Sequence, residues 1–258
     1  MKSAGVRLFG ALFALLLCCA QAAAAVPRIP FEVVASYPHR SDAFTQGAQL
    51  VGDTLYESSG LYGSSFLARW QPDGDGPVLR TQLPIAIFAE GLTVLDGRLY
   101  LLSWQNQYGL IYQLDPWQRV GDFDYPGEGW GLSHNGTELI MSDGTAELRF
   151  LAADDQRELR RLAVTEDGKP VTRLNELEWV QERVLANVWL TDEIVVIDPA
   201  SGAVTARLDL SHLYPTGQRG RRADVLNGIA YDARDGTLLV TGKFWPRLYR
   251  LRLLAPLP

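Results

Sequence analysis

Short apolar runs alternate with polar residues at a spacing of two along most of the chain, and pairs such as Gly52-Asp53, Asp96-Gly97, Asn135-Gly136 and Asp235-Gly236 punctuate them. Alternation of that period, bounded by turn residues, predicts strands joined as hairpins. No stretch carries a helical period for more than a turn or two. The clearest unit is Phe88–Trp104, two apolar runs joined by Asp96-Gly97, a dipeptide whose residues both tolerate positive φ. Glu90 stands at the head of its first strand and Trp104 at the end of its second. Four further segments share this layout and begin at Gln46, Trp130, Asn175 and Asn227. Successive heads lie 44, 40, 45 and 52 residues apart. A period of this size in an all-β pattern predicts a five-bladed β-propeller with one four-stranded blade per repeat.

Turn residues cut the second repeat into Gly91–Leu95, Arg98–Ser103, Leu110–Asp115 and Val120–Tyr125. The third divides into Gly131–Ser133, Glu138–Ser142, Glu147–Ala152 and Glu158–Val164. The last repeat has only three strands, while Phe31–Tyr37 stands unpaired at the other end of the chain. Pairing that strand as the outer strand of the last blade closes the ring and leaves no open seam. Ring geometry then brings the five repeat heads to one rim of the central channel. The ends of the second strands arrive there too, with Glu57-Ser-Ser59, Trp104, Asp143, Asn187-Val-Trp189 and Lys243. Trp104, Trp130 and Trp189 share the strand-end register and are assigned to the site. Trp70, Trp117, Trp179 and Trp245 are assigned to the core. The longest connection, Ser211–Asp224, carries the basic cluster Gln218–Arg222, which is read as a solvated loop face.

Residues 1–25 stand apart from this pattern. Lys2 and Arg7 precede the apolar run Leu8–Ala20 and a string of small residues, which together read as a secretory signal peptide cleaved within Ala22–Ala25. A single propeller domain over 26–258, exported to the periplasm or secreted, is expected. The residues before Cys18 and Cys19 are not the small ones that a lipid-anchor signal wants. Both cysteines leave with the signal, so disulfide and thiol chemistry are excluded from the mature chain. Losing Lys2 and Arg7 takes the formal charge from −6 to −8. That balance, without a basic stripe, argues against nucleic acid. No further run is long enough to span a membrane. His39, His134 and His212 show no ligand spacing, so no metal or other cofactor is expected. Phosphate-binding glycine loops, dinucleotide fingerprints and nucleophile elbows are likewise absent.

Convergent amides, carboxylates, one lysine and several indoles in a channel mouth make a ligand site of the usual polar-on-apolar kind. Lys243 is notable because Lys169 is the only other lysine beyond the signal, against twenty arginines. A compact ammonium can lose its proton where a guanidinium cannot. Three readings fit these residues: an acid–base enzyme centred on Glu90, a calcium-dependent lactonase-like hydrolase with Glu90, Asn175 and Asn227 as ligands, and a non-catalytic exported propeller binding peptides or glycans.

Longer motifs separate them. Phe44-Thr-Gln-Gly47, Tyr56–Ser65, Phe88-Ala-Glu-Gly-Leu-Thr93, Gly127-Glu-Gly-Trp-Gly-Leu132, Met141-Ser-Asp-Gly144, Leu174–Trp179, Ala186-Asn-Val-Trp189, Asp224–Ala230 and Thr241-Gly-Lys243 occur in that order. Together they resemble the plant and bacterial (papaya-type) glutaminyl-peptide cyclotransferase family over nearly the whole mature chain. The resemblance implies a five-bladed propeller enzyme that turns the N-terminal glutamine of peptides or proteins into pyroglutamate, releases ammonia and needs no metal. It also implies a site made of Phe44, Gln46, Phe88, Glu90, Trp104, Trp130, Asn175, Trp189 and Lys243. Glu90, Asn175 and Lys243 would act on the reacting atoms, with Glu90 as general acid and base, and the other six would bind substrate. Peptides with N-terminal Gln are the expected partners, and a monomer is the expected state.

Overall fold

The computed structural model describes residues 25–74 and 76–258. The signal segment therefore lies outside the described residues, Ala25 excepted. Five antiparallel four-stranded sheets follow one another along the chain. Their inner strands are Thr45–Val51, Ala89–Leu95, Leu132–His134, Leu174–Val180 and Leu226–Asp232. Each inner strand contacts the next, and the fifth contacts the first, so the ring is closed. Among the described residues the only helix is a 3-10 turn at Thr216–Gln218, and no helix is long and apolar enough to cross a membrane.

Closure comes from the N-terminal strand, as the pattern predicts. Phe31–Pro38 pairs antiparallel with Arg247–Leu253, from Phe31 opposite Leu253 to Pro38 opposite Arg247. The residues just before it run along blade 4 instead. Ile29 N–H donates to Arg207 O at 2.8 Å and Arg207 N–H to Pro27 O at 2.9 Å. Ile29 is buried with Leu208, Leu210 and Leu251, so one short segment ties blade 4 to blade 5.

Both faces of each blade are covered by neighbours, which is why middle strands such as Leu99-Tyr-Leu-Leu102 and Ile194-Val-Val-Ile197 are buried without a break. Burying each such aliphatic side chain contributes about 1.5–3 kcal/mol. Outer strands are the reverse: Glu158–Ala163 is largely exposed and carries Arg160 and Arg161, which blunt its free edge. In blade 2 the third and fourth strands, Tyr108–Gln113 and Gln118–Asp124, lie about two residues earlier than the turn residues indicate. Leu114–Trp117 forms the turn between them. A two-stranded hairpin, Thr165–Glu166 with Lys169–Pro170, was not legible from periodicity because each arm is only two residues long.

One local feature sets up the site. The pairing between first and second strands slips at Thr45/Gly47, Ala89/Leu92, Leu174/Leu177 and Leu226/Ile229. Gln46, Glu90, Asn175 and Asn227 all fall inside these bulges. A bulge leaves its extra residue out of the ladder and re-aims the side chain. In blade 3 the ladder begins only at Leu132, which leaves Trp130 ahead of it. Glycine follows the head residue in four blades. A Cβ on Gly91 would collide with the backbone of Gly131 and Leu132 in the next blade, and Gly47 and Gly131 meet the following blade in the same way. Backbone therefore packs on backbone around the channel. Blade 4 carries Glu176 there instead, and its carboxylate spans the channel to accept Ala48 N–H (3.2 Å) and Ile229 N–H (2.8 Å).

Candidate active site

A cavity of about 250 Å³ opens at the rim, lined by Phe44, Gln46, Leu61, Phe88, Glu90, Trp104, Trp130, Asn175, Trp189, Asp224 and Lys243. All nine site residues expected from the sequence are on that wall. They divide by burial. Gln46, Glu90, Asn175 and Lys243 are at most 5 % exposed and form the floor, while the five aromatic residues are half-buried and form the walls.

Bulges deliver the polar floor, and ends of second strands deliver most of the rest. Trp104 N–H donates to Phe88 O at 3.0 Å and Trp189 N–H to Arg173 O at 2.9 Å, so each indole leaves its blade from a fixed backbone. Lys243 is anchored by its N–H to Val225 O at 3.0 Å, and its ammonium lies 4.7 Å from the centre of the Phe44 ring. Phe44 in turn packs edge-on against Phe88.

Glu90 is the chemical centre of this floor. Its Oε1 accepts Gln46 Nε2 at 2.9 Å, and Asn227 Nδ2 reaches Gln46 Oε1 at 3.3 Å, fixing the amide from behind. The backbone carbonyl of Glu90 accepts the Ser58 hydroxyl at 2.5 Å. Burial holds the Glu90 carboxyl well above the usual carboxylate range; nearby Lys243 opposes this and nearby Glu128 adds to it. Burial pushes Lys243 the other way, below the usual ammonium value, against the pull of Glu90 and Asp224. An acid that resists ionising thus faces a base that resists protonation, in one pocket. That arrangement brings the two groups closer in proton affinity and suits proton transfer in either direction. Asn175 lines the same cavity, with its Oδ1 buried and without a protein partner.

Comparison with known proteins identifies the family. The profile of the Glutamine cyclotransferase family matches residues 9–253. A glutaminyl-peptide cyclotransferase of Arabidopsis thaliana is 40% identical over 228 residues, covering 86% of this chain and 71% of that protein. The crystal structure of Myxococcus xanthus glutaminyl cyclase superposes with a TM-score of 0.81 at 36% identity, covering 89% of this chain and 98% of the other. The chain belongs to the glutamine cyclotransferase family.

Within this glutamine cyclotransferase several residues expected at the rim do something else. Ser58 donates to the backbone oxygen of Glu90, Asn187 Oδ1 accepts Gly228 N–H at 3.0 Å, and Ser142, the neighbour of the expected Asp143, donates to Asn175 O, so these three stitch one blade to the next. Asn227 is fully buried behind Gln46 and does not line the cavity, which separates it from Glu90 and Asn175 as a ligand set. Among the described residues no three His, Cys, Asp or Glu side chains converge as a metal site would require. Asp143 caps its own turn, accepting from Thr145. Glu57 is buried against His39 Nε2 at 3.0 Å and Thr45 Oγ1 at 2.6 Å, at the seam between blades 5 and 1.

Two other expectations need adjusting. Trp70 and Trp245 are core, but Trp117 and Trp179 are only half-buried on blade flanks. The basic loop is solvated at Arg221 and Arg222, whereas the Arg219 side chain is largely covered, because Asp192 neutralises it and the Trp245 ring lies beneath it. Three residues at the site are not singled out by the sequence pattern: Leu61 and Asp224 on the cavity wall, and Glu128 beside it. All three sit within the family motifs, which is the one signal that points to them. Glu128 and Asp224 precede, and Leu61 follows, the repeat positions, so ring register passes them over.

Proposed function

We propose that this chain is a glutaminyl-peptide cyclotransferase that closes the N-terminal glutamine of a peptide into pyroglutamate. The α-nitrogen attacks the side-chain carboxamide carbon, a new C–N bond forms, the bond to the carboxamide nitrogen breaks, and that nitrogen leaves as ammonia. Because nucleophile and electrophile belong to one residue, the work lies in holding a near-attack conformer and moving protons. The aromatic walls suit the first task, folding the side chain over the amine. Glu90 suits the second, taking the proton from the attacking nitrogen and giving one to the departing amine. Gln46 occupies one Glu90 oxygen and leaves the other for the substrate. Asn175 and Lys243 are the donors for the carbonyl oxygen as charge develops on it.

The observation that carries this reading is the meeting of a buried carboxyl with raised pKa and five aromatic side chains in one cavity of a glutamine cyclotransferase. The chemistry as written needs no metal. Export and a monomeric state belong to the same proposal and rest on the signal-like N-terminus and on the closed ring. N-terminal sequencing of protein from the periplasm or medium, and light scattering, test those two. The decisive assay is incubation with Gln-initiated peptides while following ammonia release and product mass. Peptides left unchanged would overturn the cyclase reading. Loss of activity after exhaustive chelation, with rescue by zinc or calcium, would overturn metal independence.

A further inference from the structure

The aromatic wall of the pocket is a chain of ring contacts with one break. Phe44 meets Phe88 at 6.2 Å, and Phe88 meets Trp104 at 5.4 Å. On the far side Trp130 meets Trp189 edge-on at 5.5 Å. Trp104 and Trp130 do not stack on each other. Glu128 spans the gap: its Oε2 accepts Trp104 Nε1 at 2.8 Å and Trp130 Nε1 at 2.9 Å, and its Oε1 accepts Gln105 Nε2 at 3.1 Å.

We propose that Glu128 is a positioning residue of this site, a carboxylate clamp that fixes the two indoles and completes the aromatic collar around the substrate. The proposal deepens the cyclase reading and rests on it. An indole N–H is a donor only, and a carboxylate oxygen has room for two donors, so one Glu128 oxygen sets the separation and the tilt of both rings. The backbone repeats the constraint, since Gly129 N–H donates to Trp104 O at 3.0 Å. The connection carrying Glu128 is thus pinned to Trp104 twice. Small errors in wall position matter here, because cyclisation depends on a folded conformer of a flexible side chain.

Charge adds a second consequence. Burial pushes the Glu128 carboxyl up, but the bonds from Trp130, Gln105 and Trp104 outweigh it and keep the group ionised. The groups facing Glu90 are the Gln46 amide, the Lys243 ammonium, the Tyr125 hydroxyl and this carboxylate. Those facing Glu128 are the two indoles, the Gln105 amide and Glu90. A fixed negative charge beside Glu90 helps it stay protonated, so removing that charge eases its ionisation.

The test compares Glu128→Ala and Glu128→Gln in the full-length mature protein. Glu128→Ala should raise KM for a Gln-peptide about tenfold or more, lower kcat, and move the Trp104 and Trp130 indole N–H resonances. Glu128→Gln, which keeps an acceptor oxygen, should return the resonances and most of KM. Its kcat/KM profile should have its acid limb at lower pH, because Glu90 has lost a like-charged neighbour. Unmoved indole resonances in Glu128→Ala, wild-type kinetics in that variant, or a loss that Glu128→Gln does not recover would each overturn the proposal. If the wild-type protein itself releases no ammonia, the cyclase reading fails separately. The indole resonances and peptide binding followed by tryptophan fluorescence then still decide whether Glu128 clamps the collar.

Discussion

Replacing Glu90 by Gln separates proton transfer from packing. The amide has the carboxylate's size, and its oxygen can still accept Gln46 Nε2, now at 2.9 Å. Only the capacity to take and return a proton is lost. General acid–base catalysis contributes about 10²–10⁴-fold, so kcat should fall by that factor, equivalent to about 2.7–5.5 kcal/mol, while KM moves little. Stability should respond in the opposite sense and with a defined pH dependence. The folded-state pKa of Glu90 is raised by burial, so its contribution to stability is complete below the unfolded carboxylate value of about 4.3. That contribution is lost as pH rises through the folded value. Gln never ionises, so the variant should gain melting temperature over wild type at alkaline pH and match it in acid. Lys243 tempers the gain, because it loses a compensating carboxylate, although its own lowered pKa lets it shed the proton. Ammonia-release kinetics and melting curves at about pH 5 and pH 9 measure both effects. A raised KM with kcat intact would show that Glu90 merely anchors the substrate ammonium. A variant less stable than wild type at high pH would refute the electrostatic argument.

Gly91→Ala places a methyl against the Gly131–Leu132 backbone; overpacking of that kind costs about 1–3 kcal/mol, or roughly 2–10 °C of Tm here, and should lower kcat/KM because Glu90 adjoins it. An unchanged melting curve would disprove the close approach. His39 has Trp245 O at 2.8 Å on one ring nitrogen and Glu57 at 3.0 Å on the other; burial opposes its charge, yet Glu57 holds its pKa up, while His39 and Thr45 hold Glu57 down against burial. Glu57 stabilises above its unfolded pKa of about 4.3 and loses that effect as pH falls through its lowered folded value; His39 stabilises below about 6.5 and loses that effect as pH rises through its raised one. His39→Gln should therefore cost most between these two, up to about 3–5 kcal/mol, and a melting gap that is flat with pH would exclude the ion pair. Truncation to Ser41 should yield insoluble or strongly destabilised protein, because it strips the pairing from Arg247–Leu253 and removes Ile29 and His39; a soluble, active truncation would show that ring closure does not depend on this segment.

The ring is legible in the sequence because its physical requirements repeat. Each blade needs a turn between its first two strands and, in three of five cases, a glycine where the neighbouring backbone arrives, at Gly47, Gly91 and Gly131. Those constraints fix residue types at intervals, so the heads Gln46, Glu90, Trp130, Asn175 and Asn227 align on residue type and spacing alone. The aromatic part of the pocket needs more. Phe44 and Phe88 precede the heads by two residues, and only the longer motifs assign them to the wall. Glu128 falls inside one of those motifs, but neither route assigns it a role, since that role runs through two indole N–H groups from a connection that belongs to no strand.

Register alone could not tell chemistry from masonry at the rim, and the reason is physical. Inner strands end at the channel with backbone groups that their own sheet leaves unpaired, and buried backbone groups must be satisfied. Polar side chains at strand ends are the nearest partners. Ser58, Ser142 and Asn187 are consumed this way, and so is Glu176, whose carboxylate accepts N–H groups from blades 1 and 5. Glu90, Asn175 and Lys243 have the same kind of position but keep side-chain atoms turned into the cavity. What distinguishes the two sets is the count of backbone bonds each side chain makes to a neighbouring blade. A polar residue that stitches blades should lose stability on removal, and one that faces the pocket should lose turnover. By that criterion Ser142→Ala ought to lower Tm by leaving Asn175 O without its hydroxyl donor, whereas Asn175→Ala ought to lower kcat with little change in melting. Should the two variants exchange these phenotypes, the division between scaffold and site drawn from their hydrogen bonds is wrong.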